Sequence, residues 1–124
     1  MLIKLLPLTL LAVSALSFNP AQAHGDAKAR HGGVVQLASD LSFELVGTAD
    51  GAAIYLEDHG KPMAPAGFKG RLTVLNGGEK TEADLVVSAD KLQAKGIKLA
   101  KGAKVVAALT TPAAKAVTVR FTVK

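Results

Sequence analysis

The stretch Val117-Thr118-Val119-Arg120-Phe121-Thr122-Val123 alternates apolar and polar residues without a break. Successive side chains of a strand point to opposite faces of its sheet. The alternation therefore predicts a strand that buries the valines and the phenylalanine and exposes the residues between them. This is the cleanest strand pattern in the chain.

Shorter runs of the same kind recur along the chain, separated by turn residues about eight to twelve residues apart. The predicted strands cover 34–37, 41–46, 52–57, 71–75, 81–87, 92–94 and 105–109, with turns at Ser39-Asp40, Asp50-Gly51 and Asn76-Gly77-Gly78, a break at 58–62 and a loop at 63–67. Ile97-Lys98-Leu99 lies between two Lys-Gly steps. Seven or eight short strands predict an all-β fold, a small antiparallel β-sandwich with Ig-like architecture. Since the chain has no Cys and no Trp, the likeness to Ig domains concerns architecture alone.

The N-terminus has the features of a secretory signal. Lys4 supplies a positive start, residues 5–16 are mostly apolar, and Ala21-Gln22-Ala23 is an A-x-A cleavage site. The alternative, a membrane anchor, needs about 20 apolar residues, and this run is shorter. We therefore predict a cleaved signal over 1–23, a flexible arm over 24–32 and a β-sandwich domain over 33–124, with periplasmic localisation and no stable membrane anchor after cleavage.

Composition excludes several classes of function. Without cysteine there are no disulfides, thiolate metal sites or cysteine nucleophiles. The formal net charge is +5, but the lysines are spread along the chain and only four aromatic residues follow the signal, so no nucleic-acid surface is predicted. The sequence contains no G-x-S-x-G, P-loop, G-x-G-x-x-G or H-E-x-x-H motif. We therefore expect no enzymatic activity.

The three histidines all lie in predicted irregular segments. Cleavage after Ala23 makes His24 the first residue, whose α-amine and imidazole can chelate one metal ion. His31 adds a third nitrogen donor and Asp26 an oxygen, a set that suits Cu(II) or Zn(II). The alternative is that His24 merely follows a cleavage site and that His31 is a solvated arm residue. Both interpretations stay open from the sequence.

His59 is a second candidate ligand, with Met63 as a soft neighbour across the Gly60-Lys61-Pro62 turn. In a simple meander, His31 precedes the first strand and His59 follows the third. The two residues then lie at opposite ends of the sheet, roughly 15–20 Å apart, unless the first strand pairs elsewhere or the arm folds back. The alternative to a ligand pair is a turn histidine beside a core-filling methionine.

Several short motifs together resemble a known family. They are His31-Gly32-Gly33-Val34-Val35, Phe43-Glu44-Leu45-Val46, Ile54-Tyr55-Leu56-Glu57-Asp58 and Gly60-Lys61-Pro62. They resemble the small β-domain of periplasmic adaptor subunits of heavy-metal efflux pumps of the cobalt–zinc–cadmium type, and the stand-alone proteins built from that domain. The resemblance implies periplasmic residence, a sandwich fold and association with metal-efflux components, and it carries a metal role over to His31. The long helical hairpin of an adaptor has no counterpart here.

Two hypotheses follow. The first is a non-catalytic periplasmic accessory protein that binds copper or zinc through the N-terminal arm. The alternative is a non-metal interaction module that docks on an envelope partner through exposed sheet edges or a lysine-rich face. The sequence predicts no oligomeric state.

Overall fold

The computed structural model describes residues 28–124. The predicted signal over 1–23, and the candidate ligands His24 and Asp26, lie outside the described residues. Within 28–124 there is no helix long and apolar enough to cross a membrane. The described chain forms nine strands and no helix: β1 (Val34–Ala38), β2 (Leu41–Thr48), β3 (Gly51–Asp58), β4 (Lys61–Met63), β5 (Lys69–Asn76), β6 (Glu79–Ser88), β7 (Lys91–Lys95), β8 (Lys104–Thr110) and β9 (Ala116–Thr122).

The predicted all-β antiparallel fold is confirmed. Every predicted strand is present with ends within two residues of the prediction, and the one addition is β4. Its Pro62 is tolerated because β4 is a short strand that pairs with β3 alone. Residues 97–99 form no strand, although Ile97 is buried.

The strands form one sheet in the order β1-β2-β3-β7-β6-β5-β8-β9, with antiparallel neighbours throughout. β4 pairs with β3 beyond the end of β7. The first and last strands of this order, β1 and β9, lie against each other without a hydrogen-bonded ladder between them. The sheet is therefore a nearly closed, barrel-like ring instead of the two separate facing sheets of an Ig-type sandwich.

The core lies inside this ring. The alternation in β9 is confirmed, because Val117, Val119 and Phe121 are buried while the residues between them are exposed. Apolar side chains from every long strand meet these three: Phe43, Leu45, Ile54, Leu56, Leu72, Val74, Leu85, Leu92, Val105 and Leu109. With one face of each strand facing the core, the intervening side chains are on the outer face of the sheet.

Candidate functional site

The chain before β1 folds back across the outer face of β2 and β3. Gly32 has a φ of 73°, a left-handed conformation that favours glycine. Gly33 lies so close to β2 that a Cβ added there would clash with the backbone carbonyl oxygen of Leu45. The two glycines therefore allow residues 30–33 to reverse direction and lie on the sheet.

Glu44 anchors this folded segment. It lies on β2 between the core residues Phe43 and Leu45, so its side chain is on the outer face of the sheet. Nevertheless, only 6% of the residue is exposed to solvent. Its carboxylate accepts hydrogen bonds from the backbone N–H groups of Arg30 (3.0 Å), His31 (2.8 Å) and Gly33 (2.9 Å). It also bonds Nδ1 of His31 at 2.9 Å. A single carboxylate thus satisfies four donors of one short segment.

The electrostatics of Glu44 determine which nitrogen of His31 carries the proton. Burial by itself raises the pKa of Glu44, but the hydrogen bonds from the His31 ring and from three backbone amides outweigh burial and lower the pKa below 4.5. Glu44 is therefore ionised at neutral pH and can only accept hydrogen bonds. It follows that Nδ1 of His31 is the donor, so in the neutral ring Nε2 keeps the lone pair.

The ring of His31 packs on that of Tyr55. The ring centroids are 3.6 Å apart and the planes differ by 7°. Tyr55 is the direct partner of Glu44 in the β2–β3 ladder, so the residue that hydrogen-bonds His31 and the residue that stacks on it are neighbours. Nζ of Lys91 lies 5.9 Å from the Tyr55 ring centroid. The imidazole is fixed in position by these contacts while 40% of its side chain stays exposed.

Arg30 connects the folded segment to the turn between β3 and β4. Its Nη2 donates to the carbonyl oxygen of Gly60 at 2.8 Å. Its Nε forms an ion pair with Glu57, whose side chain is only 13% exposed. The segment is thus tied to the sheet at two places, at Glu44 and at the end of β3.

This arrangement corrects the predicted separation of the arm from the turn that carries His59. The meander β1-β2-β3 is present, but the arm folds back, so Arg30 contacts the Gly60 carbonyl instead of lying at the far end of the sheet. His59 itself does not line the cavity beside His31. It is a turn residue with a φ of 50°, its Nδ1 is 2.5 Å from the Asp58 carboxylate, and 84% of its side chain is exposed.

A cavity of about 330 Å³ lies between the folded segment, the outer face of β3 and β4. His31, Glu44, Tyr55, Glu57 and Met63 all line it. Met63, however, pairs with the core residue Leu56 and packs against the core. Its position agrees with the core-filling interpretation of that methionine.

Of the predicted metal ligands within residues 28–124, His31 and Met63 line this cavity and His59 does not. Residues 28–124 contain no cluster of three or more His, Asp or Glu side chains that could hold a metal ion. The other donors of the predicted set, His24 and Asp26, lie outside the described residues. The structure therefore neither completes nor disproves the predicted ligand set.

Glu44, Arg30 and Tyr55 are site residues that were not predicted from the sequence. One signal was present in the sequence, because Glu44 is the one charged residue within the apolar strand 41–46. A lone carboxylate in a strand ordinarily indicates an outward, solvated position. Glu44 is buried because the arm folds back over it, and no pattern in the sequence indicates that the arm does so.

Comparison with known proteins does not assign the chain to a family. No protein-family model matches the chain, and no match was found among the curated proteins or the solved structures. The resemblance to metal-efflux adaptor domains therefore remains a hypothesis based on the short motifs alone.

Proposed function

We propose that this protein is an exported, non-catalytic accessory protein that binds Cu(II) or Zn(II) through its N-terminal arm. The observation that carries the proposal is the hydrogen bond from Nδ1 of His31 to the ionised Glu44. Histidines that bind metals commonly donate their other ring N–H to a carboxylate, which fixes the tautomer and makes the ligating nitrogen more basic. His31 has this arrangement before any metal is bound.

One imidazole does not make a tight site, so the proposal requires donors from the arm ahead of it. After cleavage at Ala23, the α-amine and imidazole of His24 would provide two nitrogens and Asp26 an oxygen. Together with Nε2 of His31, three nitrogen donors suit the tetragonal geometry of Cu(II). The metal is cargo in this proposal, and the protein binds and delivers it without breaking covalent bonds.

The location and partners follow from the resemblance and from the predicted signal. A periplasmic protein with this site would take up metal in the envelope and associate with components of a metal-efflux system. Removal of Lys4 with the signal lowers the formal net charge from +5 to +4, which would not itself attract a cation, so selectivity would come from the chelate and not from long-range electrostatics.

The test compares two N-termini of the protein. The protein is exported with its own leader, its first residue is determined by mass spectrometry, and Cu(II) and Zn(II) are titrated into it by calorimetry. The same titration is made with a form that carries one extra alanine before His24. We expect sub-micromolar Cu(II) binding that is lost in the extended form, because the added residue removes the amine from the chelate.

Two variants locate the remaining donor. His31→Phe keeps an aromatic ring for the stack on Tyr55 and removes both nitrogens, so it should weaken Cu(II) binding. His59→Phe is the matched control, because His59 is exposed and contacts Asp58 instead of the folded segment. Binding no tighter than that of a generic exposed histidine in every form would contradict the proposal.

A further inference from the structure

A second surface, independent of the arm site, lies where the ring of strands fails to close. The sheet order from β1 to β9 contains eight strands, and each runs antiparallel to the next. The first and the eighth, β1 and β9, therefore also run in opposite directions where they meet. They lie against each other, yet among the described strands each pairs on one side only, β1 with β2 and β9 with β8. This unladdered junction is called the seam below.

The seam opens into a groove of about 600 Å³. Its sides are residues 33–36 at β1 and residues 120–122 of β9. Three cationic residues line it, namely Lys104, Arg120 and Lys124, and none of the described residues that line it is acidic. The charged side chains that line the groove are therefore all positive.

The cations of the seam differ from a cation elsewhere on the outer face. Arg71 on β5 is neutralised by Glu82 at 3.1 Å and Asp84 at 3.3 Å. Within residues 28–124, Arg120 and Lys124 form no ion pair, and Nζ of Lys104 bonds the neutral Oγ1 of Thr122 at 2.9 Å. None of the three cationic side chains is therefore paired with a carboxylate side chain of residues 28–124.

The spacing of these cations is regular. Arg120, Thr122 and Lys124 are alternate residues, and Lys104 lies directly opposite Thr122 in the β8–β9 ladder and bonds its side chain. The extended backbone continues beyond β9, since Val123 donates to the carbonyl of Ala103. Along β9 and its extension, Arg120 and Lys124 are therefore about 13 Å apart, and Lys104 projects from the neighbouring strand opposite the position between them.

We propose that the seam binds an acidic, extended peptide segment of a partner protein, with carboxylates at alternate positions. An extended chain presents alternate side chains on one side at a period of about 6.6 Å, so three such carboxylates span the distance from Arg120 to Lys124 with Lys104 beside the middle one. Electrostatic complementarity of this kind sets register and selects partners. Val34 and Val35 in the groove wall offer contact for the residues in between.

The test uses two labelled peptides of identical composition and charge. One has three glutamates alternating with threonines, and the other has the three glutamates in a row followed by the threonines. Each is titrated into the full exported protein while the backbone amide NMR signals of β1 and β9 are followed. We expect the alternating peptide to bind at least fivefold more tightly and to shift signals along the seam.

A charge-matched pair of double variants completes the test. Lys104→Gln with Arg120→Gln should abolish the preference for the alternating peptide. Lys61→Gln with Lys115→Gln removes the same charge from exposed positions outside the groove and should preserve that preference. Thermal unfolding of both double variants establishes that they are folded.

Four results would overturn the proposal. They are equal binding of the two peptides, no binding of either at millimolar concentration, and an equal loss of binding in both double variants. The fourth is occupation of the seam by something else, either vesicles of anionic lipid bound through Lys104 and Arg120 with no peptide preference or self-association of the chain that the first double variant abolishes.

Discussion

The imidazole of His31 lies flat on the phenol ring of Tyr55, 3.6 Å from it, while its Nδ1 bonds the buried carboxylate of Glu44. Stacking and hydrogen bonding constrain the same ring from two directions. The result is a histidine held on the outer face of the sheet with one ring nitrogen left available.

The Glu44 carboxylate should stabilise the fold strongly. Glu44→Gln replaces an ionised acceptor of four hydrogen bonds by a neutral amide that has donors of its own. Hydrogen bonds to buried charged groups are the more costly ones to lose, so the free energy of unfolding in urea should fall by about 2 kcal/mol. Glu79→Gln, at an exposed position, should change it by less than about 0.5 kcal/mol.

The stability should also depend on pH through Glu44. Folding lowers the pKa of Glu44 below 4.5, so its carboxylate stabilises the folded state above the unfolded-state pKa. That contribution is lost as the pH falls through the lower, folded-state pKa. The difference in unfolding free energy between wild type and Glu44→Gln should therefore be large at pH 7 and shrink towards pH 3. A difference that is constant or grows in acid would contradict the ionised anchor.

The tautomer of His31 is a direct consequence of the Glu44 contact. At a pH where the ring is neutral, ¹⁵N NMR should show Nδ1 protonated and Nε2 unprotonated. Replacing Glu44 by Gln removes the ionised acceptor and should reduce that preference. A wild-type ring protonated on Nε2 would mean that Nδ1 accepts, which an ionised Glu44 does not allow.

The reversal of the arm depends on the lack of a side chain at Gly33. In Gly33→Ala the new Cβ would clash with the Leu45 carbonyl oxygen and come within 2.8 Å of Val46 Cγ2. Because one contact is with backbone, the arm has to move, and we expect a loss of about 2 kcal/mol or more in thermal or urea unfolding. Gly78→Ala meets nothing within 4 Å and has no positive φ, so that variant should keep wild-type stability.

The strands of this protein were predictable because their signal is local. Alternation and turn residues locate each strand, and of the four positions that the last pattern indicates as buried, three are buried and Val123 is half-buried. β4 was missed, since Pro62 indicates a break and only pairing with β3 makes a strand there. Closure of the ring was not predicted either. It depends on contact between β1 and β9, the first and last strands of the described sheet, and no local pattern in the sequence indicates that contact.

The site itself was only partly predictable. His31 was identified, but its partners depend on the register of the β2–β3 hairpin. A turn at Asp50-Gly51, as the sequence suggests, would pair Glu44 with Glu57. The observed turn at Ala49-Asp50 pairs Glu44 with Tyr55, which creates the combination of carboxylate and aromatic ring. A shift of one residue in a turn thus determines the chemistry next to His31.

Because Tyr55 is the one tyrosine and the chain has no tryptophan, its fluorescence reports directly on metal at His31. Cu(II) is paramagnetic and quenches an adjacent fluorophore, whereas Zn(II) has a filled d shell. The most direct test of the proposed function is therefore to titrate Cu(II) into the exported protein and follow Tyr55 emission. We expect saturable quenching at sub-micromolar Cu(II) that Zn(II) does not reproduce and that His31→Phe abolishes. Quenching of equal size and affinity in wild type and His31→Phe, or none in wild type, would contradict a metal site at His31.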